Sequence, residues 1–206
     1  MASTEPATAA RGAYATGRRA REEILDAALA LFGESGYRGT SLRDVARRAG
    51  LSHPGLLHHF PRKEALLEGV LRRRDELDAA AEEPGSRGAT ALGRLVDVVG
   101  RNAAVPGVVE LFCTLSAEAT APDHPAHTYF RERYARLVAD LTRSLEQAAE
   151  DGDLRAGVVP ATAARGLVAV MDGLQVQWLL GRDAPGPDLD MAADLRAHLG
   201  RLLLDP

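Results

Sequence analysis

Residues 44 to 60 read DVARRAGLSHPGLLHHF, and this stretch predicts two short helices joined by a tight turn. Gly50 can end the first helix, because glycine adopts the left-handed conformation of a helix C-terminus at little cost. Ser52 can cap the second helix, and Pro54 suits its first turn, where a backbone donor is dispensable. Two short helices around such a turn are typical of a helix-turn-helix, although ordinary helical hairpins inside a core share the pattern.

The segments on either side of this stretch are also predicted to be helical. Residues 18–37 carry an apolar stripe of helical period, residues 40–50 begin with Thr40 or Ser41 as N-cap, and residues 61–80 form a long fourth helix. After the break at EEPGSRG, five further helices are predicted over residues 90–103, 106–119, 125–150, 160–181 and 188–204. Strand-like alternation does not occur, so the predicted fold class is all-α, with about nine helices.

Composition and charge limit the classes of protein that this chain can represent. Of the 206 residues 46% are hydrophobic, which is enough for a core, and no apolar run is long enough to cross a membrane. The single cysteine, Cys113, excludes an internal disulfide and a multi-cysteine zinc site. The N-terminus lacks the apolar segment of a signal peptide, so we expect a cytoplasmic protein. No cofactor is expected.

The charge is distributed unevenly along the chain. The net charge is −4, but residues 1–80 carry +2 and the remainder carries −6. A mildly basic front part on an acidic body favours a local contact with a polyanion over a general affinity for one.

The residues around the turn resemble the DNA-binding domain of the TetR family of bacterial transcriptional regulators. Four short matches in fixed register carry this resemblance: Thr40–Ser41, Ala49–Gly50–Leu51–Ser52, His58–His59–Phe60 and Lys63–Glu64. Residues 170–180, VMDGLQVQWLL, look like the eighth helix of one subgroup of the same family. Together with the helix pattern, the resemblance implies a flexible tail over residues 1–17, a helix-turn-helix domain over residues 18–65 and an effector-binding and dimerisation domain over residues 66–206.

The residues expected to contact double-stranded DNA fall into two groups. Helix N-termini and basic side chains attract anions, so phosphate contacts are expected from Thr40, Ser41, Arg43 and Lys63, and the resemblance implies a further one from His58. The leading end of a recognition helix meets the edges of the bases, so base contacts are expected from Ser52, His53, Pro54 and Gly55. Leu57 departs from the family, which usually has Tyr or Phe there, so a phosphate contact by a tyrosine hydroxyl is lost at Leu57 or moves to a neighbouring histidine.

The resemblance further implies an effector cavity among helices five to eight and a homodimer formed through the last two helices. Predicted helix eight mixes apolar residues with polar ones such as Asp172 and Gln175, and small-molecule sites combine apolar walls with a few polar groups. The residues expected to line the cavity are Phe112, Leu115, Phe130, Tyr134, Met171, Gln175 and Trp178. For any one of them the alternative is ordinary core packing.

Other chemistry finds little support in the sequence. His124 and His127 are three residues apart, but Pro125 between them favours a junction of loop and helix, and we predict no metal site. No motif places a nucleophile, a base and an orienting group at local spacing, so we do not expect the protein to be an enzyme. The predicted function is a ligand-responsive regulator, a repressor that binds a palindromic operator as a homodimer and is released by a small-molecule effector. The alternatives are an activator of the same fold, an architectural DNA-binding protein, or an enzyme with an accessory helix-turn-helix.

Overall fold

A computed structural model describes residues 6–80, 85–182 and 189–204 of the chain. Within these ranges the backbone forms nine α-helices and one isolated antiparallel bridge between Leu154 and Leu203. The helices are α1 (Pro6–Gly39), α2 (Leu42–Arg48), α3 (His53–His59), α4 (Lys63–Ala80), α5 (Gly88–Ala103), α6 (Pro106–Glu118), α7 (His127–Asp151), α8 (Pro160–Gly181) and α9 (Met191–Leu199). The predicted all-α class is confirmed.

Helix α1 starts earlier than the sequence pattern indicates. It begins at Pro6 and not near residue 18, so the tail predicted over residues 1–17 is helical from Pro6 onward; residues 1–5 lie outside the described part of the chain. The alanine-rich sequence of this segment favours a helix without requiring an apolar stripe, and proline is well tolerated in a first turn. Near its other end α1 is broken at Gly36, whose φ of 70° is left-handed.

The turn between α2 and α3 forms as predicted, because each end carries its own cap. Ser41 and Asp44 form a capping box, in which the Asp44 N–H donates to the Ser41 hydroxyl (3.2 Å) and the Ser41 N–H donates to the Asp44 carboxylate (3.3 Å). Gly50 follows α2 with a φ of 69°. The hydroxyl of Ser52 then accepts the N–H of Gly55 (3.1 Å) and starts α3.

A buried cluster behind the helix-turn-helix, which we call the front core, continues past the predicted domain boundary at residue 65. Its members come from α1 to α4, from α6, from the beginning of α7 and from the adjoining turns; they include Ile24, Phe32, Leu56, Phe60, Leu66, Leu67, Leu111, Leu115 and Phe130. Helix α1 packs on α6 and also on α2 and α4, so the helix-turn-helix is connected to α6 through α1. A second cluster, the rear core, joins α5, α7, α8 and α9 through residues such as Leu92, Leu145, Leu167 and Leu195.

The crossing of α1 and α6 is close because Gly33 has no side chain. A Cβ at this position would lie 3.1 Å from the backbone nitrogen of Leu111. The hydroxyl of Thr114 donates to the carbonyl of Gly33 (3.2 Å) and fixes the same crossing. Helix α6 is thus held against α1 on one face.

Several predicted helix ends differ from the structure by a few residues. Helix α4 begins at Lys63 and not at Pro61, and α9 ends at Leu199, whereas the pattern predicted a helix over residues 188–204. After α9 the chain pairs with the segment that precedes α8: the N–H of Leu204 donates to the carbonyl of Asp153 (2.8 Å). Among the described residues no single helix is long and apolar enough to span a membrane, although α5 and α6, bent by 104°, pass that test when taken together.

Candidate DNA-binding surface and effector cavity

Helix α3 presents one face to the outside and buries the other. Leu56 is fully buried and Phe60 almost so, and both belong to the front core. Ser52, Pro54 and His58 are exposed, and His53 is half-buried. The residues predicted to read base edges therefore lie on the accessible side of a helix that is anchored from behind.

The capping serines keep different amounts of hydrogen-bonding capacity for a partner. Ser41 donates its only hydroxyl hydrogen to the Asp44 carboxylate and accepts the Asp44 N–H, so this hydroxyl has no hydrogen left to donate to a phosphate. The hydrogen bond from Ser41 lowers the pKa of Asp44, and Arg47 lowers it further. Ser52 only accepts, from Gly55, and a serine hydroxyl has a hydrogen left to donate. Of the two, Ser52 is better equipped to contact DNA.

Thr40 does not belong with the phosphate contacts predicted from the sequence. Its side chain is only 4% exposed, and its hydroxyl lies 3.0 Å from the carbonyl of Leu31 and 2.9 Å from the carbonyl of Gly36. Both carbonyls are in the last turns of α1, where backbone acceptors lack helical partners. Thr40 therefore ties the end of α1 to the start of α2, and we withdraw it from the DNA-contact set.

The basic candidates lie at the ends of helices around α3. Arg43 is exposed on the first turn of α2. Lys63 is half-buried at the N-terminus of α4, with its Nζ 4.3 Å from the centre of the Tyr37 ring. Burial lowers the pKa of Lys63, while the charges of Glu118 and Glu64 act in the opposite direction. The ring of Tyr37 thus holds the Lys63 ammonium in place without neutralising it.

The remaining candidates on α3 differ in how exposed their side chains are. His58 is exposed, whereas His59 and Leu57 are half-buried, and the two histidine rings lie 5.5 Å apart at a steep angle. Gly55 is half-buried, and a Cβ there would lie 3.1 Å from the Ser52 hydroxyl, so this glycine leaves room for the cap.

A cavity of about 500 Å³ lies between α5, α6, α7 and α8. Five of the seven residues predicted to line an effector site border it: Phe112, Phe130, Tyr134, Met171 and Gln175. The other two are placed elsewhere. Leu115 is fully buried in the front core, on the opposite side of α6. Trp178 packs on the rear core, with the guanidinium of Arg182 5.2 Å from its ring, and does not border the cavity.

The aromatic part of the wall is a connected group. The rings of Phe112 and Phe130 meet edge to face with centres 5.7 Å apart, and the Tyr134 ring lies 6.5 Å from that of Phe130. Asp172 of α8 borders the same space and accepts the hydroxyl hydrogen of Tyr134 (2.9 Å). Burial raises the pKa of Asp172, although the Tyr134 hydrogen bond and Arg133 act against this rise.

Two further polar groups border the cavity. The thiol of Cys113 lies 3.8 Å from the side-chain oxygen of Gln175, and burial raises the pKa of the thiol to about 11. The guanidinium of Arg133 lies 4.7 Å from the centre of the Phe112 ring. The polar interruption of the apolar α8 sequence signals Asp172, but no local pattern signals Arg133, which lies on a helix rich in exposed charges.

Residues at the junction of the two predicted domains form a compact polar contact. The Tyr37 N–H, next to the break in α1, donates to the carboxylate of Glu118 at the end of α6 (2.8 Å). The ring of His124 meets that of Tyr37 edge to face at 5.1 Å, and its Nε2 lies 3.5 Å from the Glu118 carboxylate, at the outer limit of a hydrogen bond. The contact joins a cavity-lining helix to the end of α1.

The two histidines considered as metal ligands have other partners. Nδ1 of His124 accepts the N–H of Ala126 (3.2 Å), and Nδ1 of His127 lies 2.8 Å from the carbonyl of Ala119. Among the residues that the structure describes, no group of three or more histidine, cysteine or acidic side chains is arranged to hold a metal ion.

Comparisons with known proteins agree with this architecture. A sequence model of the tetR family of bacterial regulatory proteins matches residues 24–70, and one of the C-terminal part of BetI-type transcriptional repressors matches residues 101–204. The HTH-type transcriptional regulator BetI of Burkholderia thailandensis is 33% identical over 196 residues, which cover 90% of this chain and 94% of that protein. The HTH-type transcriptional repressor KstR2 of Rhodococcus jostii is 31% identical over 144 residues, covering 68% and 64%.

Solved structures share the fold. A transcriptional regulator of the TetR family from Agrobacterium tumefaciens superposes with a TM-score of 0.76 at 22% identity, covering 91% of this chain and 99% of its own. A putative transcriptional regulator from Saccharomonospora viridis, solved in complex with choline, superposes with a TM-score of 0.74 at 24% identity, covering 90% and 98%.

Proposed function

The chain belongs to the TetR family of bacterial regulatory proteins and is a helix-turn-helix transcriptional regulator, and from this premise we propose that it represses transcription as a homodimer on a palindromic operator. The observation that carries the proposal is the placement of Ser52, His53 and Pro54 on the accessible face of a helix whose other face is buried in the front core. Repression proceeds by binding alone, in the cytoplasm, without a catalytic step.

The dimer follows from the size of the reading element. Helix α3 has seven residues and contacts a few base pairs, which is too little surface for a tight specific complex. Two such helices, related by a two-fold axis and separated by one turn of DNA, about 34–36 Å, read a palindrome. On α8 the side chains of Val176 and Leu180, one turn apart, are 46% and 79% exposed, which supports this helix as a self-association surface.

The cavity supports a small organic cation as effector. The rings of Phe130 and Tyr134 offer electron-rich faces, the Phe112 ring already carries the Arg133 guanidinium, and Asp172 adds a half-buried carboxylate. A cation placed among aromatic faces and one carboxylate gains from both. Such a ligand also lowers the cost of keeping the Asp172 charge, since burial otherwise disfavours it. Choline, which the Saccharomonospora viridis regulator holds, is a suitable first probe of this chemistry.

Release of the operator requires that the effector prefer a conformation that does not bind DNA. A ligand of equal affinity for both conformations shifts nothing, however tightly it binds. Helix α4 connects the DNA-binding helices to the rest of the chain, so a shift of α4 alters the spacing of the two recognition helices.

Selection of bound sites from random duplex DNA tests the proposal. We expect enrichment of a palindrome whose half-site centres lie about one helical turn apart, or a multiple of this distance. Enrichment of single half-sites would contradict the dimer on DNA, and failure to enrich any sequence would contradict repression through an operator.

Calorimetry tests the effector class separately. Choline should bind the wild-type protein and bind Asp172→Asn more weakly, because the variant keeps the shape of the side chain and removes its charge. Binding of equal strength to both proteins would show that Asp172 does not recognise a cation. Absence of binding to either protein would exclude choline as the effector, and binding of a neutral or anionic compound of the same shape in preference would exclude the cationic class.

A further inference from the structure

The carboxylate of Asp75, on α4, receives two donors from α7. The Arg133 guanidinium lies 2.8 Å from Oδ1 of Asp75, and the Tyr129 hydroxyl donates to the same oxygen at 2.8 Å. Both side chains are partly buried: that of Arg133 is 27% exposed and that of Asp75 is 38% exposed. Charge-assisted hydrogen bonds in such surroundings are stronger than exposed ion pairs.

Both donors also belong to the wall of the cavity or touch it. Arg133 borders the cavity, with its guanidinium against the Phe112 ring. The Tyr129 ring packs edge to face on that of Phe130, a wall residue, with centres 5.2 Å apart. Burial, the largest cause, raises the pKa of Tyr129, so its hydroxyl stays a donor throughout the physiological range. Phe112 and Phe130 are therefore each connected to Asp75 through one side chain, Arg133 for Phe112 and Tyr129 for Phe130.

Helix α4 connects Asp75 to the DNA-binding end of the chain. Lys63 and Asp75 lie in the same helix, twelve residues or about 18 Å apart. Near the middle of this span α4 crosses α1 closely, because Gly69 has no side chain: a Cβ there would lie 2.9 Å from the Phe60 ring and 3.1 Å from the Leu25 side chain. A rigid helix that is held at a tight crossing turns about that point, so a displacement of one end also displaces the other end.

We propose that Asp75 is the positioning residue through which occupancy of the cavity changes the position of α4, and with it the DNA anchor Lys63. The inference rests on the proposed function, since it concerns how the same cavity controls the same DNA contact. A molecule that packs on the Phe112 ring must share that face with Arg133 or displace it. Either outcome alters the contact between Arg133 and Asp75, and therefore ligand binding and α4 position are linked in free energy.

The test uses Cys113 to occupy the cavity without knowledge of the natural effector. Cys113 is the only cysteine and borders the cavity, so 2-(trimethylammonium)ethyl methanethiosulfonate attaches one cationic group there. The thiolate attacks the sulfenyl sulfur, a disulfide forms and methanesulfinate leaves. Because burial raises the pKa of this thiol to about 11, labelling is slow and is followed to one adduct per chain by mass spectrometry.

Operator affinity is then measured for labelled and unlabelled protein, on a site obtained by selection from random DNA. For the wild type we expect the label to weaken binding by about tenfold or more, within the usual range of coupling between sites. For Asp75→Asn we expect the ratio of the unlabelled to the labelled operator affinity to fall close to one. A change in stability alone lowers both affinities and leaves their ratio as in the wild type.

Matched variants complete the design. Asp140→Asn also removes the acid of an ion pair on α7, with Arg143 at 3.0 Å, but this exposed pair lies within one helix and should leave the ratio unchanged. Tyr129→Phe removes one donor to Asp75, should lower the ratio partly, and replaces Asp75→Asn if that variant does not fold. Methyl methanethiosulfonate, which adds only a thiomethyl group, serves as a second probe if the larger adduct unfolds the protein.

The outcomes separate the inference from the function on which it rests. An equal loss of operator affinity on labelling in wild type and in Asp75→Asn would overturn the role of Asp75 while leaving the effector cavity in place. A labelled wild type that binds the operator as tightly as the unlabelled protein would contradict the cavity as a control site, and the inference with it.

Discussion

His53 and Lys63 both belong to the predicted DNA surface, but they should fail differently when replaced. Lys63 offers a charge, so Lys63→Ala should weaken binding to all sequences and reduce the salt slope by about one unit. His53 leads the recognition helix, so His53→Ala should cost about 1–3 kcal/mol on the selected operator and little on random DNA. Titrations on both duplexes at several salt concentrations measure each effect.

The melting temperatures of the two variants serve as the control for this comparison. Lys63 packs on the Tyr37 ring, so its loss should lower stability slightly, by about 0.5–1 kcal/mol. His53 has a half-buried side chain outside the front core, and its loss should have little effect. Equal losses on operator and random DNA for His53→Ala would show that this residue contacts the backbone and does not read sequence.

His124 should make the fold sensitive to mild acid. Burial is the largest cause that lowers its pKa from the ordinary value of 6.5; Arg38 also lowers it, while Glu118 and Asp123 act in the opposite direction. The folded state therefore holds the neutral ring, and protonation favours the unfolded chain. Above the unfolded pKa this effect is absent, and stability falls as the pH drops below about 6.5 toward the lower pKa of the folded state.

Urea unfolding at pH 7.5 and pH 5.5 measures this loss. His124→Asn keeps an acceptor near the Ala126 N–H but has no proton to gain, so its free energy of unfolding should fall less between the two pH values than that of the wild type. The pKa of His198 is also lowered by burial, but His198 is present in both proteins and its contribution cancels. The same fall in both proteins would contradict the assignment to His124.

At the level of whole elements, the break in α1 at Gly36 should be necessary for the junction with α6. Gly36→Ala places a side chain at φ 70°, ψ 170° and directly against the Glu118 carboxylate, so it should destabilise the fold by about 1–3 kcal/mol from the backbone alone, and more from the collision. Gly17→Ala is the matched control, because Gly17 lies inside the same helix with open space around it and should gain up to about 1 kcal/mol.

Thermal unfolding of the two glycine variants distinguishes strain at the break from a general preference of α1 for alanine. A stabilised Gly36→Ala would show that α1 continues through this position without a break. A DNA affinity that falls with the melting temperature of Gly36→Ala, while Gly17→Ala keeps the wild-type affinity, would agree with the junction as a support for the start of α2.

The elements that could be predicted from the sequence are those with local causes. Ser41, Gly50 and Ser52 determine the ends of α2 and α3 through neighbours within four residues, and these ends lie where the sequence predicts them. Thr40 could not be interpreted in the same way. Its hydroxyl partner at Leu31 lies nine residues upstream and comes within reach only because α1 breaks at Gly36.

In the larger domain, packing between helices that are distant in the sequence decides which buried face each residue joins. Phe112 and Leu115 are three residues apart on α6, yet one borders the cavity and the other lies in the front core, because α6 is packed between α1 and the cavity. Arg133 and Asp75 are 58 positions apart, so their contact exists only in the folded chain. Periodicity therefore indicates which side chains are apolar, but not which of two buried faces each one joins.

At the scale of the whole molecule there are two cores, and α6 lies between the front core and the effector cavity. The front core joins the recognition helix to α6, and the cavity lies on the other face of the same helix. A boundary at residue 65 describes the order of parts along the chain, but no separate core ends there. Because packed cores switch between discrete arrangements and do not deform continuously, this continuity suits a regulator whose ligand and DNA sites influence each other.

Self-association is the property of the whole molecule on which the palindrome depends. The wild-type protein should scatter light as a dimer of about 44 kDa at micromolar concentration, twice the 21.9 kDa of one chain. Leu180→Glu, at a side chain that is 79% exposed on α8, should shift the mass toward one chain, because a charge buried without a partner in an apolar interface is costly. Val105→Glu, at a 52% exposed residue between α5 and α6, is the matched control and should stay dimeric. Leu180→Glu should also lose operator affinity, because a monomer presents only one recognition helix, and its melting temperature should not rise with protein concentration as that of the dimeric wild type does. A wild type of about 22 kDa would contradict both the dimer and the two-fold reading of the operator.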